Sequence, residues 1–248
     1  MKKILALVMA LALVVCASAA LAEEEAKVMT KEEYDAAAID DAVCIEAYVQ
    51  AAQGWWAKEG VGRMTLYLQD GDAGYFAYEV LMEEEESKKL VPGTKIRIAG
   101  FKAEWAGEVE ITEGKYEILE ADPWIAEAED VTALLGTEDL AKHMNEKVAI
   151  KDAEVVAYTA DGANIEGEIP FAYSWDNGGS RDDYSDLYFN IKVGENTYTM
   201  TVESYLCGPD TDVYKAVEGL KVGDKIDLEG FLYWYNGANP HITGVTVK

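Results

Sequence analysis

Reactive side chains are scarce in this sequence. Among its 248 residues are two histidines and three cysteines. His143 and His241 belong to no H-E-x-x-H, and the cysteines to no paired spacing suited to zinc. A G-x-S-x-G nucleophile elbow and a phosphate-binding P-loop are missing as well. The chain therefore reads as non-catalytic. Basic residues are also in short supply, with 21 Lys and Arg against 47 Asp and Glu and a formal net charge of −26. Lys88-Lys89 stands alone behind the glutamates at 83–86. Such a chain lacks the cations that neutralise phosphates, so no nucleic acid is expected as a partner. Its field favours solubility and attracts cations or basic surfaces.

The main apolar run is short, residues 4–15, preceded by Lys2 and Lys3 and followed by Ala20-Leu21-Ala22. That is the pattern of a secretory signal peptide over residues 1–22, with an acidic leader at 23–29 and no transmembrane segment in the mature chain. A secreted, periplasmic or cell-surface protein is expected. Val15 fits poorly before a lipidated cysteine, which argues against an anchor at Cys16. Cys44 and Cys207 occupy non-equivalent positions and are expected as buried free thiols, not a cystine.

What is present is a long internal repeat. Residues 90–107 and 220–237 align without a gap at an offset of 130. Leu90, Gly93, Lys95, Ile96, Gly100, Phe101 and Gly107 recur as Leu220, Gly223, Lys225, Ile226, Gly230, Phe231 and Gly237. An offset this long marks a duplicated module, since solenoid periods reach only about 50 residues. Thr30 and Glu33 form a capping box that predicts a helix over 30–40. Alternation predicts strands at 43–49, 63–69 and 75–80, the last two joined by the turn chemistry of Asp70-Gly71-Asp72-Ala73-Gly74. A polar helical stretch at 83–90 ends at Pro92-Gly93, and strands at 95–105 and 108–119 follow. After a linker at 121–127 the order recurs: helix 137–145, strands 148–158, 187–193 and 196–202, helical segment 213–220, strands 225–235 and 241–247. The modules span 30–120 and 128–248, and the second carries a long insertion at 159–186.

This order resembles the OB-fold, a five-stranded Greek-key barrel. The resemblance is carried by Leu66-Tyr67-Leu68-Gln69-Asp70 with Gly74, and by Gly93-Thr94-Lys95-Ile96-Arg97-Ile98-Ala99-Gly100. A glycine inside a strand, as at Gly100 and Gly230, suits a bulge or barrel corner. The fold class is thus mainly β: two tandem OB-fold five-stranded Greek-key barrels, each with short helices, after a signal peptide. The chain looks most like exported bacterial OB-fold proteins, many of them uncharacterised.

The resemblance implies a ligand face on strands 2 and 3, flanked by the loops joining strands 1–2 and 4–5. Five of the six tryptophans fall around these rims; Trp124, in the linker, is the exception. Trp55, Trp56, Tyr67 and Trp105 are the candidates for a first site, and Trp175, Tyr188, Trp234 and Tyr235 for a second. Exposed rings there would form a stacking platform; buried, they would only close the barrel ends. Asp176, Asp182, Asp183 and Asp186 crowd the insertion and are weak candidates for Ca²⁺, although EF-hand spacing is absent. No other cofactor is expected. The sequence points to a binding protein for an oligosaccharide, a small solute or a basic protein surface. An adaptor role in a cell-surface assembly is the alternative. Oligonucleotide binding, which the charge disfavours, would need a locally basic groove around Lys58, Arg63, Lys95 or Arg97.

Overall fold

The computed structural model describes residues 27–176, 178–182 and 184–248. The signal peptide, Cys16, most of the acidic leader and Asp183 lie outside the described residues. Helix α1 (Lys31–Ala36) begins at the capping box: Thr30 Oγ1 accepts from Glu33 N–H, and the Glu33 carboxylate accepts from Thr30 N–H. The first barrel follows in β1 (Ala42–Ala52), β3 (Val61–Asp70), β4 (Ala73–Leu81), β5 (Lys95–Trp105) and β6 (Glu108–Ile118), with β2 (Trp56–Lys58) added at the edge of β3. The sheet order is β1-β5-β6-β4-β3, and β1 pairs with β3 to close it.

The second barrel repeats this arrangement in β8 (Lys147–Val156), β10 (Leu187–Val193), β11 (Asn196–Val202), β12 (Lys225–Phe231) and β13 (His241–Val247). Its order is β8-β12-β13-β11-β10, closed by β8 on β10 and extended by the two-residue strands β7 (Glu129–Asp130) and β9 (Phe171–Ala172). Among the five strands of each barrel one pairing is parallel, β4 with β6 and β11 with β13, and the added β7 also runs parallel to β8. A short helix precedes the fourth barrel strand in each: α2 (Glu84–Ser87) and α3 (Asp212–Glu218). The fold is mainly β, with two closed five-stranded barrels consistent with a tandem OB-fold.

The repeated glycines have a steric cause. A Cβ on Gly100 would lie 2.5 Å from Thr112 O, and one on Gly230 would lie 2.3 Å from His241 O. Both sit at a register shift between the fourth and fifth barrel strands, where the sheet coils tightly and backbones approach. Inward residues of each barrel then form a separate core. Ile45, Leu66, Ile96 and Ile111 are among the first, Val155, Phe189, Ile226 and Leu228 among the second. Cys44 and Cys207 are free and buried.

Some element ends differ from the sequence expectation. The helix at 83–90 shrinks to the single turn of α2, whose first turn holds three like charges, Glu84, Glu85 and Glu86. Residues 137–145 form a 3₁₀ helix, Glu138–His143. Strand 225–235 stops at Phe231, because Leu232 is drawn aside: its N–H donates to Glu146 O (3.0 Å) and its carbonyl accepts from Asn145 N–H (2.9 Å).

The two barrels also pack on one another. Tyr67, Phe76 and Phe231 form a third buried cluster, bordered by Ala51, Leu206 and Tyr233. Tyr67 lies 4.8 Å from Phe231 and 5.1 Å from Phe76, ring centre to ring centre. Each such aromatic pair contributes about 0.5–1.5 kcal/mol beyond its area burial. Around the cluster, Gln69 Oε1 accepts from Lys147 N–H (2.8 Å), and Asn145 Nδ2 donates to Val109 O (3.0 Å). Gly54 N–H donates to Tyr205 O (2.8 Å), and Asn236 N–H donates to Ala106 O (2.6 Å). Two barrels tied at so many points form one packed body.

Candidate functional site

Strands β3 and β4 turn Thr65 and Tyr67, with Phe76 and Tyr78, to the outside of the first barrel. Strands β10 and β11 turn Tyr188 and Asn190, with Thr199 and Thr201, to the outside of the second. These are the strand 2 and 3 faces of their barrels, and they look toward one another. Between them lies a groove of about 1120 Å³. One wall carries Trp56, Thr65, Phe76, Tyr78 and Glu79 of the first barrel; the other carries Tyr188, Thr199 and Thr201 of the second. Tyr158, just past β8, lines it too; the insertion adds Trp175, Tyr184 and Asp186, and the segment between β12 and β13 adds Tyr233, Tyr235 and Asn239. The geometry offers one composite groove in place of two separate sites.

The residues singled out in the sequence divide evenly. Trp56, Trp175, Tyr188 and Tyr235 meet in the groove. Trp175 is 53% exposed and held through its carbonyl, which accepts from Tyr158 Oη (3.1 Å). Trp56 has the Arg63 guanidinium 5.4 Å from its ring centre. Trp55 packs instead on the first core, its indole N–H donating to Met82 O (3.0 Å). Tyr67 is fully buried beneath the groove floor. Trp105, 62% exposed at the end of β5, and Trp234, whose backbone N–H donates to Glu108 Oε2 (2.8 Å), do not line the groove.

Tyrosines were the larger omission. Tyr78, Tyr158, Tyr184, Tyr205 and Tyr233 all line the groove. Tyr184 stacks on Tyr205 with ring centres 6.0 Å apart. The available signal was composition, 15 tyrosines against five phenylalanines, together with the i, i+2 pair Phe76 and Tyr78 on one strand face.

Polar groups on the floor are tightly ordered. Gln53 Nε2 donates to Tyr67 Oη (3.3 Å), and Tyr67 Oη lies 2.7 Å from His241 Nδ1. The His241 ring stacks on Tyr233 at 4.2 Å. Burial holds His241 neutral, with its pKa lowered to about 3. Burial likewise raises Glu203, aided by the charge of Asp186, to about 7. Glu203 Oε2 accepts from Leu206 N–H (2.8 Å), and Asp186 accepts from Ser204 N–H (2.8 Å) and Tyr188 Oη (3.1 Å).

The insertion's other acids are engaged locally: Asp176 accepts from Ser174 Oγ, and Asp182 from Tyr184 N–H. Among the described residues no cluster of three or more His, Cys, Asp or Glu is placed to hold a metal ion. Nor do the basic residues form one groove. Arg63 pairs with Glu79 (2.6 Å), while Lys95 and Arg97 pair with Glu46 (3.5 and 2.8 Å).

No protein-family model matches the chain, and comparison with curated proteins finds no match. Solved structures match the chain at low similarity. One, described as a murine DNA binding protein bound with double-stranded DNA, is 14% identical, with a TM-score of 0.36 over 83% of this chain and 97% of that one. A replication protein A heterotrimer bound to single-stranded DNA is 11% identical, with a TM-score of 0.34 over 86% of this chain and 51% of that one. A variant of the single-stranded DNA binding protein from Thermus aquaticus is 12% identical, with a TM-score of 0.26 over 84% and 93%. The proteins these structures describe bind DNA, where the sequence expectation was an oligosaccharide, small-solute or basic-protein ligand or an adaptor role, and no nucleic-acid partner. The physical fault in that expectation was its scale. Net charge sums over the whole surface, whereas the stacking of bases depends on the rings of one groove.

Proposed function

We propose that the protein is a non-catalytic binding protein that holds a short single-stranded oligonucleotide between its barrels, gripping bases by stacking. The observation that carries this reading is the opposition of two aromatic walls, Trp56, Phe76 and Tyr78 against Trp175, Tyr188 and Tyr235. Every base has a π-face, and stacking on an aromatic side chain contributes about 1–3 kcal/mol per base. The groove volume exceeds the roughly 300–1,000 Å³ typical of sites for one drug-sized molecule, which favours an extended ligand with several rings. Asp186 and Glu203 leave no place for phosphates on the floor, so the backbone runs along the open mouth. The two histidines have structural partners, His241 with Tyr67 and His143 with Glu146 (2.8 Å), which supports a non-catalytic role. The signal pattern at residues 1–22, and the likeness to exported OB-fold proteins, support a secreted, periplasmic or cell-surface setting.

Affinity for an oligothymidylate of about ten nucleotides, followed by tryptophan fluorescence across a salt series, tests the reading. A phosphate-driven complex weakens with a log–log slope of about −0.7 per phosphate contacted on a single strand. A stacked complex in an acidic groove should show a flat or slightly positive slope. Trp175→Ala should weaken binding by about 1–3 kcal/mol, and Trp105→Ala should leave it unchanged. No saturable binding, or loss only with Trp105→Ala, would sink the proposal.

A further inference from the structure

Charge along the groove is of one sign. Glu79, Asp186 and Glu203 line it, and among the described residues that do so none is lysine or arginine. Glu79 is paired with Arg63 (2.6 Å). The other two acids converge on the turn just past β11 and take hydrogen bonds from neutral donors. Asp186 accepts from Ser204 N–H (2.8 Å), and Glu203 Oε2 accepts from Leu206 N–H (2.8 Å). The turn is pinned, because the Glu203 carbonyl accepts from Leu206 and Cys207 N–H (3.1 and 2.8 Å). Asp186 also accepts from Tyr188 Oη (3.1 Å), so a stacking ring of the groove carries this acid on its hydroxyl. A nucleotide stacked on Tyr188 therefore lies within about one Debye length of the pair, ~10 Å at 0.1 M salt. The groups acting on Glu203 or acted on by it are Asp186 from the insertion, Tyr188 from β10, Tyr67 from β3 and Cys207 from its own turn. Burial pushes Tyr67, Tyr188 and Cys207 up and the nearby lining residue His241 down, all away from neutrality. Burial and the charge of Asp186 bring Glu203 to about 7.

Resting on the reading above, we propose that Glu203 is a pH-sensitive switch on the groove: its charged form repels the phosphates of a strand, and taking up a proton lets the strand bind tightly. Stacking itself is indifferent to this proton, so the switch sets affinity and not the mode of grip. The coupling is reciprocal: a bound strand raises the Glu203 pKa further, and binding near neutrality takes up a proton.

The experiment measures oligothymidylate affinity of the intact protein at constant salt between about pH 8 and about pH 6, where phosphodiesters keep their charge. Binding should tighten about five- to ten-fold as pH falls over this range. A methylphosphonate thymidylate strand, whose backbone is uncharged, should show no such response, with the protein unchanged. Glu203→Gln should bind at about pH 8 as tightly as the parent does at about pH 6. Asp186→Asn should keep the response but move it to lower pH, because it removes the like charge that raises Glu203. Glu110, also raised to about 7, does not line the groove, and Glu110→Gln should respond as the parent does. Equal affinity at both pH values, a response that persists in Glu203→Gln, or an equal response from the uncharged strand would overturn the switch and leave the stacking groove intact. If no strand binds at any pH, both readings fall.

Discussion

Glu108 has no exposed surface, and its environment is that of an acid held for its neutral form. Oε2 accepts from Trp234 N–H across the barrel contact, while Oε1 has no partner among the described residues. Asn145, whose Nδ2 donates to Val109 O, keeps an Oδ1 without a partner among the described residues. Burial is the main cause that lifts the Glu108 pKa from 4.5 to about 8, with Glu110 adding like charge; Asn145 and Trp234 pull the other way. Glu110 is itself raised to about 7 by burial and by Glu79. A carboxyl with a raised folded-state pKa binds more protons folded than unfolded. Its contribution is complete below 4.5 and is lost as pH rises through about 8. Glu108→Gln keeps the shape and supplies a permanent donor. It should raise stability at about pH 9 by about 1–3 kcal/mol and flatten the loss between pH 5 and 9, measured by denaturant unfolding. Equal pH dependence in parent and variant would remove Glu108 from this role. His241 works in the opposite sense: its lowered pKa contributes stability above 6.5 that is lost as pH falls through about 3.

At the level of elements, the hairpin between β3 and β4 is pressed against the second barrel. A Cβ on Gly74 would lie 2.3 Å from the Asn145 carbonyl carbon and 2.4 Å from Glu146 N. Both obstacles are backbone, so no side chain can swing away. Gly74→Ala should cost several kcal/mol, about the 1–3 typical of overpacking or more, and should also weaken oligonucleotide binding by displacing one wall of the groove. Thermal unfolding beside a binding titration checks both, and an unaltered melting temperature would show that the contact is loose.

The barrels themselves were legible in the sequence, because alternation and strand glycines are local consequences of a coiled sheet. Gly100 and Gly230 sit where backbones meet, and the strands at 187–193, 196–202 and 241–247 end where the pattern placed them. The groove was legible only in part. Leu66-Tyr67-Leu68 and Leu187-Tyr188-Phe189 read alike, yet Tyr67 is covered by Phe231 and His241 while Tyr188 faces the groove. What covers an outward ring is a surface far away in sequence, and no local period records it.

On the scale of the whole molecule, the contact that closes the groove also joins the folding of the two barrels. Tyr67, Phe76 and Phe231 bury their rings only when both barrels are present. Phe231→Ala should cost about 3–5 kcal/mol, and the parent protein should unfold in a single calorimetric transition whose width matches its enthalpy. Two separated transitions would mean barrels that stand apart. The acidic surface adds its own dependence, because self-repulsion at a net charge of −26 weakens the compact state most at low salt.

The most direct measurement is the stoichiometry of oligothymidylate binding by calorimetric titration of the parent protein, Trp56→Ala and Trp175→Ala. These tryptophans come from different barrels but line one groove. One strand per chain is expected, with both variants weakening that same event. Two strands per chain, or a variant that removes half the sites and leaves the other half at full affinity, would contradict the single composite groove.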